Sequence, residues 1–243
     1  MPRTRLAQRN ADRLASIERE LADFSYIVSH DIGAPIRHMA EFSRLLLAEL
    51  GEEPTDNQQA HAAHIRAAAD KCQSMIERLL TYSRVQHKTI EPIRHDATLT
   101  MRLALLPLAG EAQAAGVQIA IAPLGEVSAD PDLLILAFRH LLENAVRFRR
   151  PDVPPQVRVL AAHDEETWRV RVCDNGGGVQ PAYRDRVFGM FQRLPAHAEH
   201  PGVGAGLTIC RRIARRHGGD VRFLDAAQGA CVELALPRRV VSP

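Results

Sequence analysis

A histidine followed directly by a carboxylate, His30-Asp31, lies inside a helical pattern, with Pro35 four residues beyond the carboxylate. A neutral imidazole whose lone pair is free is a nucleophile. A neighbouring carboxylate can hold the proton on the other ring nitrogen, fixing the tautomer and stabilising the imidazolium that forms on attack. Pro35 has no N–H to give to the Asp31 carbonyl, so the helix should bend or loosen there. Taken alone, the pair also fits one of eleven histidines on a solvated helix face.

Three further clusters follow. His140, Asn144 and Arg147 belong to one helical pattern, and His140 and Asn144, four residues apart, share a face. An Asn carbonyl is a hard oxygen ligand suited to Mg²⁺, which accepts one or two protein oxygens and keeps phosphates and waters. Arg147 could meet phosphate charge or simply lie on the surface. Next comes Cys173-Asp174-Asn175-Gly176-Gly177-Gly178, directly after a strand pattern. A buried Asp can accept from an exocyclic amine such as that of adenine, and glycines let backbone close on a flat ligand. The same residues would also make a hairpin turn. Last, Gly202-Val203-Gly204-Ala205-Gly206-Leu207 opens a helix, where free N–H groups and the positive end of the dipole suit phosphates. No G-x-x-x-x-G-K-[ST] occurs, which excludes a P-loop.

Two halves of the chain must position these groups. Over residues 6–87 apolar side chains recur at spacings of three and four, first Leu14, Ile17, Leu21, Phe24 and Val28, then Ile36, Met39 and Leu46. Gly and Pro interrupt the pattern across residues 51–57, and Thr55 or Asp56 could cap the helix that follows. That second helix carries Ile65, Ala68, Cys72, Met75, Ile76, Leu79 and Val85 on one face. An antiparallel hairpin of this width cannot enclose its own apolar stripe, so a homodimer is expected, two hairpins joining in a four-helix bundle.

The expected organisation is an N-terminal coiled-coil signalling helix over residues 1–20, the hairpin over 21–88, a linker over 89–97 and a second domain over 98–238. The second domain reads as helix (99–115), strand (117–121), helix (131–150), strands (156–162 and 168–173), helix (205–217) and strands (221–224 and 230–236). The class is α+β, with mostly antiparallel strands covered by helices.

Composition narrows the functions. A net charge of +2 gives no case for a bulk nucleic-acid or membrane binder. No apolar run approaches the ~18 residues that cross a bilayer. The arginines of residues 1–10 have no apolar stretch behind them, so no secretory signal is expected. Cys72, Cys173, Cys210 and Cys231 are scattered without a C-x-x-C pair, which predicts reduced, mostly buried thiols and a cytoplasmic setting.

In their order and spacing the four motifs resemble those of the sensor histidine kinases, over about residues 14–237. These proteins join a dimerisation and phosphotransfer hairpin to an ATP-binding α/β sandwich of the gyrase, Hsp90 and MutL superfamily. Tyr82-Ser83-Arg84-Val85, the run from Val187 through Phe188 and Phe191 to Leu194, and His217-Gly218-Gly219 resemble the phytochrome-type branch. The resemblance implies that His30 is the phosphoacceptor, with Asp31 its general base. Asn144 would bind Mg²⁺, with His140 and Arg147 near the phosphates of ATP. Asp174 would recognise adenine in a pocket shaped by Gly176 and Gly178. Gly202, Gly204, Gly206 and Leu207 would belong to a phosphate-covering lid over residues 193–202, anchored at its other end by Phe188 and Phe191. A response-regulator receiver domain would take the phosphoryl group, and input would come from a separate or missing upstream sensor.

Some positions depart from the family pattern. Gly177 and Ala205 replace larger side chains, which implies weaker nucleotide binding. Ala34 stands where strong phosphatases carry a water-orienting Thr or Asn, which implies weak dephosphorylation of the partner. A non-catalytic phosphotransfer scaffold with a weakened pocket is the alternative, and an ATPase clamp a third reading. His61, His64, His197 and His200 read as solvated residues rather than metal ligands.

Overall fold

The computed structural model describes residues 33–49, 55–194 and 202–238. They divide into two units between His87 and Lys88.

The first unit is a helical hairpin of α1 (Gly33–Glu49) and α2 (Asp56–His87). Thr55 caps α2 in a reciprocal arrangement. Its N–H donates to Gln58 Oε1 at 2.8 Å, and the Gln58 N–H reaches back to the Thr55 hydroxyl at 3.4 Å. The helices are tied by Ser43, which donates its hydroxyl to the Ala62 carbonyl at 3.3 Å, and Ile36, Ala62 and Ala69 are buried. The expected single apolar face is only partly buried within one chain. Met39, Phe42 and Leu46 are 56%, 67% and 56% exposed, and Ile65 is also exposed, more apolar surface than an isolated helix pair normally leaves in water. Cys72 is exposed, an exception to the mostly buried thiols expected, and His61 and His64 are exposed, as expected of solvated residues. His30, Asp31 and the apolar repeat from Leu14 to Val28 lie outside the described residues.

The second unit has a five-stranded sheet in the order β2-β4-β5-β7-β6, formed by β2 (Gln118–Ile121), β4 (Gln156–Ala161), β5 (Thr167–Asp174), β6 (Asp220–Leu224) and β7 (Cys231–Pro237). Every pairing is antiparallel except β2 with β4. Alternation sets its faces. Val157, Val159, Trp168, Val170, Val172, Leu234 and Leu236 are buried on one side, where Trp168 lies 6.3 Å from Phe138 and donates its indole N–H to the Leu124 carbonyl at 2.9 Å. Phe138 belongs to α5 (Pro131–Arg147), which packs with α3 (Ala97–Leu105) and α6 (Gly206–Arg216) over that side. His217 closes α6: its Nδ1–H donates to the Ile213 carbonyl at 2.8 Å, and its Nε2 accepts from the Asp130 N–H at 3.0 Å.

Three expectations change. The helix read over 99–115 breaks because Pro107 has no N–H to continue it. A 3₁₀ turn (Leu106–Leu108) separates α3 from α4 (Ala109–Ala114). Within the stretch read as a linker, β1 (Ile93–Asp96) pairs antiparallel with β3 (Glu126–Ala129), and the Asp96 side chain then caps α3 by accepting from Thr98 N–H at 2.7 Å. The reduced thiols are corrected as well, because Cys173 and Cys231 face each other across β5 and β7 and are joined as a disulfide. Of the other two cysteines, Cys210 is buried and Cys72 is not.

Candidate functional site

The site is built on α5. Asp130 accepts from the Leu133 N–H at 3.1 Å as its N-cap, and Pro131 occupies the first turn with a ready-made φ. Leu133, Leu134, Ala137, Phe138, Leu141, Leu142, Ala145 and Val146 are buried, which fixes the rotation of the helix. His140, Asn144 and Arg147 then form a row at i, i+4 and i+7.

The glycine run lies along this row. A β-carbon on Gly206 would stand 3.6 Å from the His140 ring, and one on Gly202 would stand 2.8 Å from Arg147 Nη1. Between them Gly204 has a φ of 73° and leaves room only for hydrogen, since a β-carbon would meet the Gln192 carbonyl oxygen at 2.4 Å. His140 is only 1% exposed and donates its Nδ1–H to Glu143 Oε2 at 3.0 Å. It is a floor beneath Gly206. Asn144 is half-buried, and no described residue hydrogen-bonds its side chain. α6 begins at Gly206 behind Ala205, which gives no side-chain cap, so its first-turn N–H groups keep their capacity for an anion.

Asp174 ends β5 and anchors the second half of the site. Its N–H donates to the Ala230 carbonyl at 2.8 Å, while its Oδ1 accepts from Gly176 N–H at 2.8 Å and Ala230 N–H at 3.1 Å. Burial holds its carboxyl pKa above the ordinary value in spite of those two donors. The glycines around it are required by close backbone approach. A β-carbon on Gly176 would sit 2.3 Å from the Phe148 oxygen, and one on Gly229 would sit 2.0 Å from the Asp174 oxygen. Asn175 ties the loop to the start of β4, accepting from Gln156 N–H at 2.8 Å and donating to the Pro154 carbonyl at 2.9 Å. The hairpin-turn alternative does not hold, because the strand that follows in the chain, β6, is not a sheet neighbour of β5.

Phe148 joins the two halves. Its N–H donates to the Asn144 carbonyl at 3.0 Å and its own carbonyl accepts from Gly177 N–H at 3.0 Å. Asp174, Gly176 and Gly178 are thereby held against the end of the helix that carries Asn144 and Arg147. A single neutral oxygen from Asn144 suits a Mg²⁺ ion that takes its other ligands from phosphates and water. The residues present fit that ion.

Phe188 is placed elsewhere. It is buried 5.6 Å from Phe223, with the Arg211 guanidinium 4.4 Å over its ring, so it locks the segment after Asp174 onto β6 and α6. Phe191 has a φ of 60°. Leu207 is half-buried in the first turn of α6. His197 and His200 lie outside the described residues. Sequence reasoning missed Glu143, Phe148, Gly229 and Ala230. Phe148 and Ala230 act through backbone, which leaves no side-chain signature, whereas Gly229 before a strand was a usable turn signal.

Known proteins resemble this chain in sequence and fold. The family described as "Histidine kinase-, DNA gyrase B-, and HSP90-like ATPase" matches residues 129–240, and "His Kinase A (phospho-acceptor) domain" matches residues 20–88. The chain is similar to phytochrome-like protein Cph1 of Synechocystis, 29% identical over 92% of this chain and 31% of that protein. Its similarity to cyanobacterial phytochrome A of Nostoc is 31% identity, over 88% of this chain and 29% of the relative. The chain therefore spans about a third of the length of these relatives, 31% and 29%. Among solved structures, full-length ShkA in complex with AMPPNP is similar with a TM-score of 0.65 and 25% identity, over 91% of this chain and 47% of that one. ThkA in complex with the response regulator TrrA has the same fold, with a TM-score of 0.65 and 15% identity over 94% of this chain and 67% of that one. A phospho-acceptor hairpin followed by a gyrase- and Hsp90-like ATPase domain, in one chain, places this protein in the sensor histidine kinase family.

Proposed function

We propose that this chain is a protein histidine kinase that moves the γ-phosphate of ATP onto His30 and passes it to an aspartate of a response-regulator receiver domain. One observation carries the reading: a half-buried carboxylate at Asp174 is tied through Phe148 to the row His140-Asn144-Arg147 beneath Gly202–Gly206. An amine acceptor and an anion-binding surface thus form one continuous nucleotide site. Similarity to ShkA, solved with AMPPNP, supports it.

In this reading Asp174 accepts a hydrogen bond from the adenine amine, while Gly176 and Gly178 let backbone approach the ring. Arg147 and the first-turn N–H groups of α6, running from Gly206 through Leu207, neutralise phosphate charge. His140 supports Gly206 from below, and Phe188 holds the outer end of the segment that leads to Gly202. Asn144 would hold Mg²⁺, which when bound screens the charge of the phosphates. The His30 imidazole attacks the γ-phosphorus in line, forming the N–P bond as the bond to the ADP oxygen breaks, and Asp31 steadies the imidazolium. The exposed Met39, Phe42 and Leu46 are covered by a second copy in a four-helix bundle, so the working unit is a homodimer.

The relay is tested by phosphorylating the chain with γ-labelled ATP, removing the nucleotide and adding purified receiver domains. Label should leave the chain and appear on a receiver, and not on one whose acceptor aspartate is changed to Asn. A labelled chain that transfers to none of the receivers encoded with it would defeat the relay half of the proposal.

A further inference from the structure

Cys173 and Cys231 meet at the end of the sheet that carries Asp174. The register of β5 and β7 sets them opposite each other, and their sulfurs are bonded. Asp174 follows the first cysteine and Ala230 precedes the second, so the bridge is one residue away from the pair of hydrogen bonds, at 2.8 and 3.1 Å, that clasps Asp174 to Ala230. The clasp has no slack around it. Besides Gly229 against the Asp174 oxygen, a β-carbon on Gly178 would stand 2.6 Å from the Gly229 oxygen.

We propose that Cys173 and Cys231 are a thiol-modification site, a dithiol oxidised by small-molecule disulfides, whose state sets how tightly the chain holds nucleotide. The proposal rests on reading Asp174 as the acceptor for the purine amine. Side chains alternate along a strand, so the cysteines lie on the sheet face opposite to Asp174 and outside the nucleotide site itself.

The surroundings suit thiol chemistry. Arg158 of β4 is the register partner of Cys173, is exposed, and makes no ion pair among the described residues. That register places a cation on the same sheet face as the cysteines. Cys173 is half-buried and Cys231 is 6% exposed, which makes Cys173 the first nucleophile. The Cys173 thiolate attacks one sulfur of the small disulfide and expels one thiol, leaving a mixed disulfide. The Cys231 thiolate then attacks the Cys173 sulfur and expels the second thiol. The protein pair loses two electrons and two protons, and the small disulfide becomes two thiols.

Bridging pins the strand ends at the last register pair before Asp174. Reduction leaves the clasp to its two hydrogen bonds alone, at the place where the carboxylate must stay aimed. Nucleotide should therefore bind the bridged chain about fivefold or more tightly than the dithiol chain.

The test uses the full chain with Cys72 changed to Ser, which removes the exposed thiol that could link two molecules. The chain is equilibrated at a series of oxidised-to-reduced glutathione ratios, the bridge is quantified by thiol alkylation and mass spectrometry, and MgATP affinity is measured at each ratio by calorimetry. Reversible bridging with affinity rising in step is expected, while Cys173→Ser and Cys231→Ser each hold the weaker affinity at every ratio. Thermal unfolding of both variants checks that they are folded, and the unsubstituted pair provides the titration whether or not they are. Equal, measurable affinity in the two states, or no reversible bridge, would overturn the proposal and leave the nucleotide site standing. No ATP binding in either state would overturn the Asp174 reading and this proposal together.

Discussion

Gly202 and Arg147 stand so close that a β-carbon on the glycine would meet Arg147 Nη1 at 2.8 Å. A β-carbon on Gly206 would only make ordinary contact with the His140 ring, at 3.6 Å, so the glycine run lies against α5 most tightly at the Arg147 end. Gly204→Ala should be the most damaging change in the run. Its φ of 73° costs an alanine about 1–2 kcal/mol, and the Gln192 backbone oxygen at 2.4 Å cannot swing aside as the Arg147 side chain can. ATP affinity, measured by calorimetry, should fall at least tenfold in Gly204→Ala and less in Gly202→Ala. An equal loss in both would show that backbone conformation at Gly204 is not what matters.

Asp174→Asn separates binding from stability. The half-buried carboxylate has its pKa raised by desolvation. Between its ordinary and raised values the folded chain holds a proton that the unfolded chain has lost, so stability falls as pH rises through that window. The amide removes this dependence, and at neutral pH the variant should unfold at an unchanged or higher temperature. It should nevertheless lose ATP binding, since an amide nitrogen in place of the acceptor repels the purine amine. Retained affinity would remove Asp174 from the site.

His217 predicts an acid limit for the second unit. Burial lowers its pKa, and its Nε2 must stay unprotonated to accept from Asp130 N–H at 3.0 Å. The unfolded chain therefore takes up a proton, below the ordinary value of about 6.5, that the folded chain resists. Stability is full above that value and declines as pH falls toward the lowered pKa. Urea unfolding at pH 7.5 and 5.5 should show the decline. His217→Gln should flatten the pH dependence, and His217→Ala should cost about 1–3 kcal/mol by leaving the Asp130 N–H unpaired.

The apolar face of the hairpin gives a prediction about assembly. Phe42 is 67% exposed and Leu46 56% exposed on α1. Phe42→Asp with Leu46→Asp should convert a dimer to a monomer in light scattering, with MgATP affinity unchanged because the nucleotide site lies in the other unit. A monomeric unsubstituted chain would refute the dimer.

Much of this was legible from residues alone, for reasons that are local. Asp130-Pro131 marks the start of α5, the alternation of Val157, Val159, Val170 and Val172 marks β4 and β5, and Thr55 with Gln58 marks the start of α2. The row His140-Asn144-Arg147 followed from helical periodicity. β1 and β3 were not legible, being four residues each with little apolar alternation in β1. The break at Pro107 was visible in principle and was overridden by the flanking helical pattern. The pairing of Cys173 with Cys231, 58 residues apart, depends on β7 inserting beside β5 and ahead of β6, a topology no local pattern carries. Phe148 was invisible for a different reason, since what it supplies is a carbonyl.

The most direct test of the account is autophosphorylation. The purified chain is incubated with Mg²⁺ and γ-labelled ATP beside His30→Gln and Asn144→Ala, and the label is challenged with acid and with base. The account predicts acid-labile, base-stable label in the unsubstituted chain and none in either variant. Label that survives in His30→Gln, or an unlabelled chain that binds MgATP, would contradict it.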